Sequence, residues 1–131
     1  LFTAPNEHNK GSQAERATLL RLSDHIRAGL AGSIRSFQIT DANGAERRLE
    51  ELTYGGGDPV GYVSDPQETI NYAEAHDNET LFDLNAYKLP RDTSPWDRMR
   101  AQNLATSLVI LAQGVPFLHA GQDMLRSKSL D

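Results

Sequence analysis

The chain has 131 residues, 38% hydrophobic and 24% charged, with a formal net charge of −5. That length suits one small domain. No apolar run is long enough to span a membrane, and apart from Arg47 and Arg48 beside Glu46, Glu50 and Glu51 the basic residues are scattered. Neither membrane nor nucleic acid is therefore expected as a partner, and the lack of cysteine excludes disulfides, thiolate zinc sites and cysteine nucleophiles.

The chain starts at Leu1 rather than methionine and stops at Asp131 in a polar run, so both ends read as cuts and the compartment is left open. Residues 1–11 are polar and turn-rich, with Pro5, Asn6, Asn9 and Gly11. Ser12 and Glu15 then form a capping box, and Leu19, Leu22, Ile26 and Leu30 fall on one narrow face, which predicts a helix over 13–31 ended by Gly32. A short strand is expected within Ile34–Thr40, followed by the Asn43-Gly44 turn signal, and Gly55-Gly56-Gly57-Asp58-Pro59 forbids regular structure. Over residues 69–77 the signals conflict. Ser64 with Gln67 could cap a helix, whereas Ile70 and Tyr72 suit a strand. A second long helix is predicted over 95–113, with Ser94 as cap, Pro95 in the first position, Asp97 completing the box and Leu104, Leu108 and Leu111 on a face that should pack on a sheet. Val115-Pro116-Phe117-Leu118-His119 reads as a buried strand, so strand, helix and strand make a βαβ unit of an α/β fold.

The densest polar cluster is Glu74-Ala75-His76-Asp77-Asn78-Glu79-Thr80, where the first strand of that unit would end. Reacting groups of parallel α/β folds sit at that end, although a solvated turn has the same composition. Here the sequence becomes more specific. The run Ile70-Asn71-Tyr72-Ala73-Glu74-Ala75-His76-Asp77-Asn78-Glu79-Thr80-Leu81-Phe82-Asp83 resembles the segment around the fourth conserved region of type I pullulanases and limit dextrinases, in the α-amylase family (glycoside hydrolase family 13). Asp65-Pro66-Gln67-Glu68, Asn85-Ala86-Tyr87-Lys88-Leu89-Pro90 and Gln113 through Asp123 resemble the same family in the same order, as does Leu19 through Arg27 with Gly29-Leu30-Ala31-Gly32. Leu118 and Asp123 stand where Phe and Glu are more usual, and both changes are conservative.

The resemblance implies that residues 1–131 are part of a catalytic (β/α)8 TIM barrel, truncated at both ends: the C-terminal part, comprising the helix before strand 7, strand 7 near 70–76, helix 7 and strand 8 near 115–119. It also decides residue 70 in favour of a strand. The implied parent is a debranching enzyme hydrolysing α-1,6-glucosidic linkages of pullulan, amylopectin or limit dextrins with retention, a monomer without an assignable cofactor; calcium is conceivable in the parent. Asp77 would be the catalytic carboxylate that binds the hydroxyls of the sugar under cleavage and favours its oxocarbenium-like form. His76 would bind the same sugar, and Asn78 would either contact substrate or hold the loop by bonding its backbone. The nucleophile and the acid/base, which retention places roughly 5–5.5 Å apart, belong to strands four and five and have no counterpart here, so the chain alone is expected to be inactive.

Isoamylase or a branching enzyme is the nearest alternative within the family. Outside it stand a phosphohydrolase in which His76-Asp77 binds metal and a non-catalytic carbohydrate-binding module, the latter opposed by an aromatic content of 7%. His8, His25 and His119 lack the paired spacing of metal ligands, and no metal site is assigned. Asn78-Glu79-Thr80 matches a glycosylation acceptor, which its place in a catalytic loop makes a coincidence. Trp96 is read as a packing residue, and Asp123 and Arg126 as neighbours of the site.

Overall fold

The computed structural model of the protein describes residues 11–128. In chain order the elements are α1 (Gln13–Leu30), β1 (Gln38–Thr40), β2 (Glu46–Arg48), β3 (Ile70–Asn71), α2 (Leu81–Lys88), α3 (Pro95–Leu111) and β4 (Val115–Pro116), with single 3-10 turns at Leu49–Glu51, Pro66–Glu68 and Gln122–Met124. His8 and the turn-rich stretch up to residue 10 lie outside the described residues. There are two compact units, one of Ala17–Asn71 with Leu111–Pro116, the other of Tyr72–Ile110 with the described residues up to Arg16 and from Phe117.

α1 begins as the capping box predicts, within the described residues up to Arg16, and continues from Ala17 in the first unit. The Ser12 amide donates to the Glu15 carboxylate at 2.7 Å and the Glu15 amide to the Ser12 hydroxyl at 3.2 Å, supplying partners for two groups at a helix end that would otherwise lack them. The helix stops before Gly32, whose φ of +75° favours glycine, and a Cβ there would stand 2.6 Å from Pro66 Cβ. Its buried residues are Asp24 and Ala28 rather than the leucine stripe, and Ile26 is exposed. Polar satisfaction sets that rotation. Asp24 accepts the Ala42 amide at 2.8 Å and Arg27 Nη1 at 2.9 Å, while Arg27 also donates to the Thr40 carbonyl at 2.7 Å. The small Ala28 meets Ile39, Leu49 and Val60 in the core of this unit, flanked by Ala31 and Leu52.

The expected strand at 34–40 is shorter, running from Gln38, with Ile34 in a separate parallel bridge to Val63. β1 and β2 pair antiparallel, Gln38 opposite Arg48 and Thr40 opposite Glu46, around the predicted Asn43-Gly44 turn. The glycine run is a bend closed by the Tyr54 amide on the Asp58 carbonyl at 2.9 Å. Neither alternative at Ser64–Asp77 holds alone. A single 3-10 turn at Pro66–Glu68, capped by Asp65 rather than Ser64, precedes a strand of only Ile70–Asn71.

β3 and β4 are parallel, Ile70 opposite Val115 and Asn71 opposite Pro116, which is the expected strand–helix–strand connection. Gly114 makes the entry into β4 with φ +117°, and the Asn71 side chain donates to the Gln113 carbonyl at 2.8 Å. The predicted burial of this strand is not found: Val115 and, past the pairing, Phe117 and Leu118 are about half exposed. A sheet of two strands covers little of its own faces. Among the described residues the strands form two such two-stranded sheets and no closed barrel.

In the second unit, α2 is an element the sequence reading passed over. Thr80 caps it by accepting the Asp83 amide at 3.2 Å, and Lys88 occupies its last turn. α3 starts as predicted, with the Asp97 amide donating to the Ser94 hydroxyl at 3.1 Å. Its buried side chains are Gln102 and Val109, while Leu104 and Leu111 are 62% and 76% exposed. Gln102 turns inward because both ends of its amide find partners: Nε2 donates to the Gln122 carbonyl at 3.1 Å and Oε1 accepts from Asn85 at 3.3 Å. The leucine face thus presents apolar surface to solvent instead of packing on a sheet.

Candidate functional site

Tyr72–Thr80, the stretch that follows β3, contains no helix or strand. Its backbone is held by side chains. Glu74 is buried; its Oε2 accepts the Leu81 amide at 2.6 Å and its Oε1 lies 3.3 Å from His119 Nδ1. A carboxylate on the first amide of α2 satisfies a free donor and complements the positive end of the helix. Arg126 Nη1 approaches the His119 ring at 3.0 Å from Nδ1. Glu74 is therefore committed to structure and cannot serve as an acid or base at the surface.

Past Glu74 the loop carries all three predicted site residues. His76 Nε2 and Asp77 Oδ1 are 3.4 Å apart, and their side chains are 86% and 76% exposed. Asn78 follows in the left-handed region with φ +54°. The adjoining shallow depression is lined by Asn78, Glu79, Asp83, Tyr87 and Lys128. From the other side, Lys128 Nζ donates to the carbonyls of His76 at 2.6 Å and Asn78 at 2.7 Å. Asp83, buried in the first turn of α2, accepts the Lys128 amide at 2.8 Å and the Ser127 hydroxyl at 2.5 Å. An exposed carboxylate beside an imidazole offers acceptors and a donor to vicinal hydroxyls.

The other candidates are dispersed. His25 lies in α1 with its ring edge-on to Tyr54, centroids 5.1 Å apart. His119 is taken up by Glu74 and Arg126, Asp123 is exposed, and Trp96 is exposed at the start of α3 rather than packed. Among the described residues no group of three or more His, Asp or Glu could hold a metal ion. The sequence reading missed Asp83 and Lys128 as loop supports. The Thr80-to-Asp83 spacing was a usable signal for the first; a lysine far along the chain gave none for the second.

The structure thus presents a small α/β arrangement whose polar loop follows a strand of a parallel pair. Set beside proteins of known function, the chain is similar to pullulanases over its whole length. It is 44% identical over 132 residues to chloroplastic pullulanase 1 of Arabidopsis thaliana, covering 100% of the chain and 14% of that protein. It is 41% identical over 108 residues to the pullulanase of Klebsiella aerogenes, covering 82% of the chain and 10% of the relative. Among solved structures, PulA from Klebsiella oxytoca superposes with a TM-score of 0.89 at 37% identity, over 97% of the chain and 12% of that structure. Klebsiella pneumoniae pullulanase complexed with maltotriose gives 0.88 at 38% identity, over 95% and 12%. The chain therefore spans about one-seventh or less of the length of these relatives. No protein-family model matches it.

Proposed function

We propose that the chain is a portion of the catalytic (β/α)8 barrel of a debranching α-glucan hydrolase in the α-amylase family, with β3 and β4 as the seventh and eighth barrel strands. The observation that carries this reading is similarity along the full chain, at 44% identity, to a pullulanase, matched by a superposition on a pullulanase bound to maltotriose. The parallel pairing of β3 with β4 and the polar loop beyond β3 fit a barrel's carboxyl-terminal face. On this reading the uncovered leucine face of α3 and the half-exposed residues after β4 adjoin further barrel elements, and loops of other strands wall the open side of His76 and Asp77.

Asp77 then acts on the sugar whose bond breaks. As positive charge grows on the ring, a fixed carboxylate bonded to its hydroxyls holds the flattened ring more tightly than the relaxed one, which lowers the barrier. His76 donates to the same sugar and orients it. Retention requires a nucleophilic carboxylate and a protonated carboxyl about 5–5.5 Å apart, a pair supplied by other strands, so these 131 residues alone do not hydrolyse glucan. Substrates are pullulan, amylopectin and limit dextrins, and the enzyme acts as a monomer.

The complete protein carrying this segment, assayed on pullulan and on linear amylose, tests the proposal. Release of maltotriose from pullulan is expected. Cleavage of amylose alone would remove the debranching assignment, and activity tied to a stoichiometric divalent metal at His76 would replace it with metal-assisted phosphate chemistry.

A further inference from the structure

Lys128 is tied to the His76–Asp77 loop through backbone oxygens. Its ammonium donates to the carbonyls of His76 at 2.6 Å and Asn78 at 2.7 Å, and reaches that of Ala75 at 3.5 Å. An ammonium has three donors and no acceptor, so three converging carbonyls suit it. Hydrogen bonds from a charged donor are roughly twice as strong as neutral ones. The loop needs such a partner. Tyr72–Thr80 contains no helix or strand, and Asn78 sits at φ +54°, a conformation Asn tolerates only as an isolated residue.

The lysine is itself fixed in place. The buried Asp83 carboxylate accepts the Lys128 amide, the Ser127 hydroxyl and the Thr80 hydroxyl. One carboxylate thereby joins the cap of α2 to Ser127 and Lys128, and the ammonium carries that anchorage to the backbone on either side of Asp77.

We propose that Lys128 is a positioning residue for the candidate site: by fixing the carbonyls of His76 and Asn78 it presets the direction in which His76 and Asp77 face a glucan. The inference rests on the reading of Asp77 as the substrate-facing carboxylate. Lysine suits the task because its point charge rotates freely to meet divergent oxygens, whereas the planar fork of arginine does not.

The test is Lys128→Met in the complete protein, since methionine fills similar space without the donors. Two measurements are made: pullulan hydrolysis, and hydrogen–deuterium exchange of the peptide spanning 72–88. The expected result is a kcat reduced by about 10- to 100-fold, the scale of a misplacement near 1 Å, with KM within about threefold, faster exchange in that peptide and an unchanged Tm. Unchanged kcat and exchange overturn the proposal. So does a drop in kcat that tracks a lower Tm and disappears on correction for folded fraction, because that describes general stabilisation. If the unmodified protein does not cleave pullulan, the functional reading fails separately. The exchange data still decide whether Lys128 holds the loop. Asp83→Asn provides a second variant, expected to loosen the same peptide.

Discussion

The carboxylate of Asp24, almost wholly buried in α1, accepts the backbone amide of Ala42 at 2.8 Å. Through this bond and the Arg27 contact with the Thr40 carbonyl, the helix holds the β1–β2 hairpin by its main chain, beside the small core around Ala28 and Leu49. Asp24→Ala leaves the Ala42 amide without its acceptor and Arg27 without its counter-ion. Ala42 itself is exposed, so water can meet the freed amide, and the loss is that of a net hydrogen bond to a charged group, about 1–2 kcal/mol after that replacement. Exchange of the Ala42 amide should then accelerate about 5- to 30-fold, the factor that one to two kcal/mol represents. Equal exchange in both proteins would show the bond to be dispensable.

The same hairpin responds to acid through Asp41. Its carboxyl is held below the ordinary value of 3.8 chiefly by the Ala45 amide, then by the Asn43 amide and Arg47, against the opposing effect of desolvation. A carboxyl depressed in the folded state contributes stability that is complete above 3.8 and is lost as pH falls through the lower folded value. The cross-strand contacts of Gln38 with Arg48 should therefore persist at pH 5 and weaken only below about pH 3.8. Nuclear Overhauser contacts followed through an acid titration measure this. Asp41→Asn, which cannot titrate, should abolish that step; loosening already complete at pH 5 would contradict the assignment.

Caps were legible because they depend on residues three apart, as at Ser12 with Glu15 and Ser94 with Asp97. The Asn43-Gly44 turn was legible because few residues accept its backbone, and Gly44 has φ +83°. Which face of a helix is buried was not. Asp24 and Gln102 point inward because of partners at Ala42 and Gln122, distant in sequence, and hydrophobic periodicity holds no information about them. At the candidate site, the grouping of His76, Asp77 and Asn78 was legible because the three are adjacent. Lys128 and Asp83 were not, since tertiary contacts bring them to the loop.

Ser94 offers a direct check on the cap of α3. Its hydroxyl accepts the Asp97 amide, and Ser94→Ala should cost about 1 kcal/mol. Exchange at the Asp97 amide should rise about fivefold, whereas Ser94→Asp, an equally good cap, should leave it unchanged. If both variants behave alike, the side chain does not cap the helix.

The side chain of Asp77 is 76% exposed and lies 3.4 Å from the His76 ring. Exposure means that substitution costs the fold little, so an effect on catalysis can be read without a stability correction. Asp77→Asn keeps the shape and removes the charge. In the complete protein it should lower kcat on pullulan by about 100- to 1,000-fold, the loss expected when one preorganised electrostatic contact to a transition state is removed. KM should change far less if, as proposed, the contact strengthens mainly as the ring becomes cationic. On the proposed reading, His76→Ala should reduce kcat in the same direction by a smaller factor, since Asp77 would still bind the sugar that His76 orients. Steady-state kinetics on pullulan separate the cases. A kcat untouched by Asp77→Asn would mean that this carboxylate faces solvent in the working enzyme as well, and the assignment of the loop to catalysis would have to be abandoned.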